Sequence, residues 1–528
     1  MLECVGLIRE TPTFRLMPGR SGFPQLKTKE SIGFMKNKAS RSLSQNLAAQ
    51  LIYQMSLYLV PFISTPYLSR VLGSDMIGRY SYARSIASYF ILAAGFGTAT
   101  YGQRLIASLQ SDEAKQRQAF RDLALLRCIA AAVGCLLYGI AVVPGSVDPK
   151  MYLFVGLEIF GVAADITWYF QGREQFPVVA ICNGTAKFLM VGLLFLFVKT
   201  PADVGAYACV YSVMTLVGGG AQWLFLPKTN RLAGGEATLL GREKGHIACA
   251  LRLFVAQLAM QIYTVLDKTM IGLITHSESE NGYYDQAQRL IRLVEAVCTV
   301  ISPVIASRVA VLWSQGKKKE AADILDMSFR FVCCIGVPIV VGLQLIVKDF
   351  VPVYYGAGYE PVVSLLRVLS VLPLVIGLSN VIGIQFLVPV GQENKLTSSV
   401  AAGALVNVYL NLFLIRRMAS TGAAIASVAA EVTVTAVQLY FVRGHLDIGK
   451  VFSNVLRYFL LSIPMALAGG LLSLAISSRL LRLALVVSVC GLVYLAELLL
   501  FRDPLVRFIK TLWFEKKSSK GTATGQAE

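Results

Sequence analysis

The sequence predicts an all-α polytopic membrane protein with about 14 transmembrane helices. Three observations carry that expectation. The 528 residues are 55% hydrophobic and only 15% charged, and mean hydropathy is +0.61. Apolar runs of about 20 residues recur from residue 44 to residue 500, each long enough to cross a hydrocarbon core of roughly 30 Å. No gap between these runs is long enough for a soluble domain.

In chain order, residues 1–34 are polar and punctuated by proline and glycine, without a signal-peptide core. Met35 opens MKNKASRSLSQNL, a basic lead into the first span. Translation is expected to begin near Met35, leaving 1–34 as a disordered extension. The spans are expected at 44–68, 80–101, 120–143, 151–170, 177–198, 204–226, 247–273, 284–310, 327–347, 362–388, 396–415, 420–441, 453–474 and 480–500. They must be helices, because backbone left unpaired in lipid is too costly. Pro61 and Pro66 in the first span and Pro373 in the tenth should bend their helices. Residues 503–528 read as a tail.

Loop charge favours both termini on the cytoplasmic side. The loop at 274–283 carries Glu278 and Glu280 but no lysine or arginine, and the next carries Lys317, Lys318 and Lys319. Arg416, Arg417 and Arg479 oppose the trend. The net charge of +18 is therefore read mainly as cytoplasmic loop charge, not as a nucleic-acid surface. Of the ten cysteines, all but Cys4 fall in apolar segments and none forms a CxxC pair, which argues against disulfide and zinc frameworks. Only His246, His276 and His445 could supply imidazole. No G-x-x-x-x-G-K-S/T phosphate loop occurs. No large outer loop could hold a catalytic site, so neither an enzyme nor a cofactor is expected.

A short pattern, G-x-Y-x-x-A, opens the second span at Gly78-Arg79-Tyr80-Ser81-Tyr82-Ala83 and the eighth at Gly282-Tyr283-Tyr284-Asp285-Gln286-Ala287. The offset is six spans. It suggests two equivalent six-helix bundles, 35–240 and 241–445, followed by two additional helices within 446–502. Transporters built from parallel repeats place the substrate path between such halves.

Charge is concentrated at 261–295, where two apolar segments hold Asp267, Lys268, Asp285, Arg289, Arg292 and Glu295. Charges inside membrane spans are costly and usually face a partner or a wet cavity. A membrane protein carrying them here should move something polar or charged.

Several stretches resemble the Wzx-type oligosaccharide flippases of the polysaccharide transport family, in the superfamily of MATE exporters and the lipid II flippase MurJ. They are PYLSRVLGSDMIGRYSYARSIASYFILAAGFGTATYGQR (66–104), DITWYFQGREQF (165–176), IYTVLDKTMIG (262–272), NGYYDQAQRL (281–290), SNVIGIQFLVPVGQENKLTSSVAAGALVNVYLNLFLI (379–415) and TGAAIASVAAEVTV (421–434). Their serial order over residues 36–500 carries the likeness. The resemblance implies two six-helix bundles around a central cavity. It also implies transfer of an undecaprenyl-pyrophosphate-linked sugar repeat unit across the bacterial cytoplasmic membrane by alternating access. A polysaccharide polymerase and a chain-length regulator would be partners.

Such a head group needs a wet, partly cationic path, since unpaired polar groups in an apolar medium cost several kcal/mol each. Arginine suits phosphate because it stays charged and binds in bidentate fashion. The substrate-binding candidates are Arg84, Arg289, Arg292 and Lys187, the last resembling a fifth-span lysine of the family. Arg289, Arg292 and Glu295 share one helix face. Arg127, Arg252 and Arg367 lie nearer span ends, where snorkelling to the head groups is expected. The ion-coupling candidates are Glu158, Asp165, Asp267 and Glu431; a salt bridge of Asp267 to its neighbour Lys268 is the competing structural role. Membrane potential acting on a charged substrate needs no ion site. A MATE-like ion-coupled exporter of small molecules is the alternative, and it predicts a cavity dominated by carboxylates.

Overall fold

A computed structural model describes residues 29–109, 112–227, 254 and 265–505. Among these there is no strand, and ten helices are long and apolar enough to cross a membrane. The chain is therefore an all-α, multi-pass membrane protein. Its exposed surface fits that setting: Leu136, Ile140, Leu467 and Leu474 are all more than 60% exposed, as lipid-facing side chains would be. Arg252, with the early part of the expected seventh span, lies outside the described residues. So do residues 1–28 and 506–528.

The helices are α1 (Lys29–Gly95), α2 (Thr98–Ser108), α3 (Glu113–Ala141), α4 (Pro149–Ala164), α5 (Thr167–Gly172), α6 (Phe176–Phe197), α7 (Val204–Ala221) and α8 (265–275). They continue with α9 (Glu278–Thr299), α10 (Ser302–Ser314), α11 (Lys318–Tyr354), α12 (Pro361–Leu369), α13 (Leu372–Ile382), α14 (Glu393–Val442), α15 (Ile448–Ala475) and α16 (Arg479–Leu500). The ten count α14 once for two expected spans and include neither α1 nor the expected seventh span, which is why ten crossing helices stand against about 14 expected spans. Helix α14 holds two of them. It breaks at Ala419, with φ 48°, and doubles back, so that a Cβ on Gly403 would meet Val434. Helix α1 also holds two, joined through Gly73 at φ 73°, a conformation glycine adopts without steric cost.

The described residues form two compact units. Unit 1 draws on Met1–Val60, Tyr89–Phe195 and Ala208–Leu258. Its inner core joins Ile106, Phe120, Leu123, Trp168, Tyr169 and Leu226. Helices α2 and α5 approach through glycines: a Cβ on Gly102 would strike the Trp168 ring, and one on Gly172 would strike Ile106. Unit 2 draws on Pro61–Ser88, Leu196–Tyr207 and Ala259–Glu528. Large cores pack α9 against α12 and α13, and α11 against α13 and α15. Helix α16 is fastened to α11 by a bidentate ion pair, Arg482 to Asp349 at 2.6 and 2.7 Å.

The two copies of the short repeat meet inside unit 2. A Cβ on Gly78 would fall on the Glu278 carbonyl, and one on Gly282 on the Ser74 carbonyl. The crossing is possible only because both positions are glycine. Tyr80, Ala83, Tyr284 and Ala287 are all fully buried, so the shared pattern is a packing pattern. Beside the crossing, Arg79 donates to Glu278 at 2.8 Å and Ser279 donates to Asp75.

Candidate functional site

Each unit holds a cluster of the charged side chains that the sequence singled out. In unit 1, α4 stops at Ala164 and α5 starts at Thr167, leaving Asp165 and Ile166 outside any helix. The Asp165 carboxylate accepts from the Thr167 backbone N–H, the first of the new helix, at 3.0 Å. The carbonyls freed at the end of α4 also find donors, as a broken membrane helix requires. Trp223 Nε1 donates to the Ala164 carbonyl at 2.7 Å. Arg127, on unbroken α3, donates to the Val162 carbonyl through Nε at 3.0 Å and Nη2 at 2.6 Å. Its Nη1 donates to Thr98 Oγ1 at 3.0 Å, at a second break where Phe96 and Gly97 have φ 43° and 67°. Arg127 is 3% exposed. The expectation that it snorkels is corrected: two helix breaks supply enough acceptors to hold a buried guanidinium.

Around this break lies a cavity of about 350 Å³ lined by Arg127, Glu158, Asp165, Asn183, Lys187 and Tyr211, among others. Asn183 and Lys187 are one turn apart on α6 and share a face. Asn183, Thr167 and Gln222 are mutually hydrogen-bonded, at 2.9 to 3.5 Å. Asp165 lies 3.9 Å from Arg127. Lys187 has no hydrogen bond or ion pair among the described residues. Three of the sequence candidates, Lys187, Glu158 and Asp165, thus share one cavity.

In unit 2, α9 carries the main cluster. Asp285 is buried and bridges two cations: Lys268 from α8, and Arg289 one turn along at 2.7 Å. Arg292 is exposed and donates to Gln288 Oε1 at 2.9 Å. Glu295, on the same face, feels the charges of Arg292 and of Glu431 from α14. Arg84 is half-buried on the 74–88 stretch of α1.

Asp267 is 2% exposed and has its own hydrogen-bonding set. It accepts from Asn411 Nδ2 at 2.7 Å, Ser427 Oγ at 2.6 Å and the Tyr284 hydroxyl at 2.5 Å. Asn411 Nδ2 also donates to Asn407 Oδ1 at 3.0 Å, and Asn411 Oδ1 has no hydrogen-bond partner among the described residues. The competing role for Asp267, a salt bridge to Lys268, is not the pairing that forms. Neighbours on a helix point about 100° apart, so Lys268 reaches Asp285 instead. Sequence reasoning missed Asn407, Asn411 and Ser427. The available signal was polar residues four apart, at 407 and 411, in an otherwise apolar run.

Comparison with known proteins gives consistent results. A family model described as polysaccharide biosynthesis protein matches residues 43–307. A protein of Escherichia coli (strain K12), provisionally named an O-antigen transporter, is 24% identical over 78% of this chain and 99% of its own length. One of the same name from Shigella dysenteriae is 22% identical over 76% of this chain and all of its own. Among solved structures, the lipid II flippase MurJ in an inward closed conformation superposes with a TM-score of 0.65. That match has 14% identity and covers 87% of this chain and 100% of MurJ. A MATE family multidrug resistance transporter of the MOP superfamily, in an inward-facing conformation, gives 0.57 at 13% identity, over 75% and 98% of the two chains. The chain belongs to the polysaccharide biosynthesis protein family and has the fold of the MOP superfamily transporters.

Proposed function

We propose that the protein flips undecaprenyl-pyrophosphate-linked oligosaccharide repeat units from the inner to the outer leaflet of a bacterial cytoplasmic membrane. Both termini face the cytoplasm, and the two bundles expose the head-group path to each side in turn. The product feeds surface polysaccharide synthesis, with a polymerase and a chain-length regulator downstream. The observation that carries this reading, beside family membership, is the set of cations gathered on α9 and its neighbour α8. Lys268 and Arg289 meet at Asp285 and Arg292 stands exposed one turn further along, a place where a pyrophosphate could be held by charge-assisted hydrogen bonds. Arg292 is exposed and its described side-chain hydrogen bond is to a neutral amide, so it is the first choice for substrate contact.

Asp267 is the coupling residue in this reading. Its carboxylate, with the oxygens of Asn407, Asn411 and Ser427, makes a set of hard oxygen donors without sulfur or imidazole. That set fits sodium, as oxygen donors fit other hard cations; a proton on Asp267 is the competing load. The test is complementation of a flippase-null bacterium, reading surface polymer against intracellular lipid-linked repeat units, with sodium replaced by choline in one arm. Restored polymer with a falling intracellular pool supports flipping, and loss of the effect in choline supports sodium. A well-expressed protein that restores no polymer but lowers drug sensitivity overturns the reading in favour of a small-molecule exporter.

A further inference from the structure

The cavity of unit 1 has a chemistry unlike that of a phosphate site. It holds two cations, Arg127 and Lys187, and two carboxylates, Glu158 and Asp165, so it is formally neutral. The Arg127 nitrogens are committed to Val162 and Thr98, which leaves Lys187 as the cation open to a ligand. A pyrophosphate here would meet two carboxylates with one available cation, and like charges at close range oppose binding.

A neutral polyhydroxylated ring fits better. Sugar hydroxyls both donate and accept, and they need partners of both kinds. The lining offers carboxylate acceptors, an ammonium donor, and the Asn183–Thr167–Gln222 set, which does both. Gly218 and Gly219 keep the wall open: a Cβ on Gly218 would lie 2.9 Å from Asn183 Oδ1, and one on Gly219 would lie 3.1 Å from the Asp165 backbone. A volume of about 350 Å³ is at the small end of ligand cavities, roughly 300–1,000 Å³. That is room for one ring and not for an oligosaccharide.

We infer that the unit 1 cavity is a subsite for a single neutral sugar ring, with Lys187 donating to one of its oxygens. This deepens the flippase reading by naming the part of the substrate it recognises, and rests on that reading only for the source of the sugar. The full-length protein in lipid nanodiscs is titrated with glucose, galactose, N-acetylglucosamine and rhamnose. Glucuronate and inorganic phosphate form the anionic arms, and binding is followed by intrinsic fluorescence. At least one neutral sugar should bind in the millimolar range. Lys187→Met should weaken it by about ten-fold or more, which is about 1.4 kcal/mol, while Lys317→Met, at an exposed lysine just before α11, leaves it unchanged. Lys187→Gln serves if the methionine variant does not fold. The inference is overturned if no sugar of the panel binds, if either anion binds more tightly than every neutral sugar, or if the lysine variants bind like the wild type. Lys187-dependent sugar binding in a protein that restores no surface polymer would sink the flippase reading and leave the subsite standing.

Discussion

In unit 1, Arg127 points into the protein, and its nitrogens end on a carbonyl and a hydroxyl at two helix breaks. In unit 2, Arg292 is exposed and its one described hydrogen bond is to an amide. Arg289 lies between these extremes, half-exposed but fastened to buried Asp285. The same side chain thus serves as scaffold, as partner and as candidate ligand contact. What separates these roles is how many acceptors the chain itself provides. A buried guanidinium persists only where its protons are met, so an arginine with intramolecular partners at every nitrogen has little left for substrate.

The comparison can be broken by substitution. The largest effect should come from neither arginine but from the glycine crossing. Gly78→Val would drive a side chain into the Glu278 carbonyl and cost on the order of 3 kcal/mol, the upper range of overpacking. Thermal melting and membrane yield would show it, and a variant as stable as the wild type would disprove the crossing. Arg127→Ala comes next. It leaves the Val162 carbonyl without its charged donor, at about 1.5–3 kcal/mol for a hydrogen bond to a charged group, and Arg127→Lys should recover part of the loss. Arg289→Ala should lower the melting temperature by less, because Lys268 still neutralises Asp285.

The functional substitutions are expected to be mild in stability and severe in export. Asp267→Asn keeps the shape of the site while removing its charge. It should abolish ion-dependent export while costing about 1 kcal/mol, the worth of an altered buried hydrogen bond. Arg292→Ala sits at the bottom of the stability series, within about 0.5 kcal/mol as for other exposed positions, and should still cut export. If Arg292→Ala exports normally while Arg289→Ala does not, the contact residue has been misassigned between the two.

A good part of this molecule was legible in its sequence. The helical membrane fold follows from hydropathy and run length, since lipid leaves the backbone no other way to pair its polar groups. The same physics singled out Arg289 and Asp267 as charges that need partners, and both have them, in Asp285 and in Asn411 and Ser427. The glycines of the repeat were visible as a pattern, but not as two surfaces that touch. Asn407, Asn411 and Ser427 were hidden, because one amide or hydroxyl in an apolar helix looks alike whether it faces a carboxylate or a backbone carbonyl.

By itself, the sequence determined the class of protein, the order of its helices and which residues carry charge within them. Only the tertiary structure decided what each charge does. Electrostatic roles depend on distances of a few ångströms between side chains more than a hundred residues apart, as between Asp267 and Asn411 or Ser427. Hydropathy and helical periodicity are properties of one segment at a time. The partner of a buried charge is a property of how segments pack.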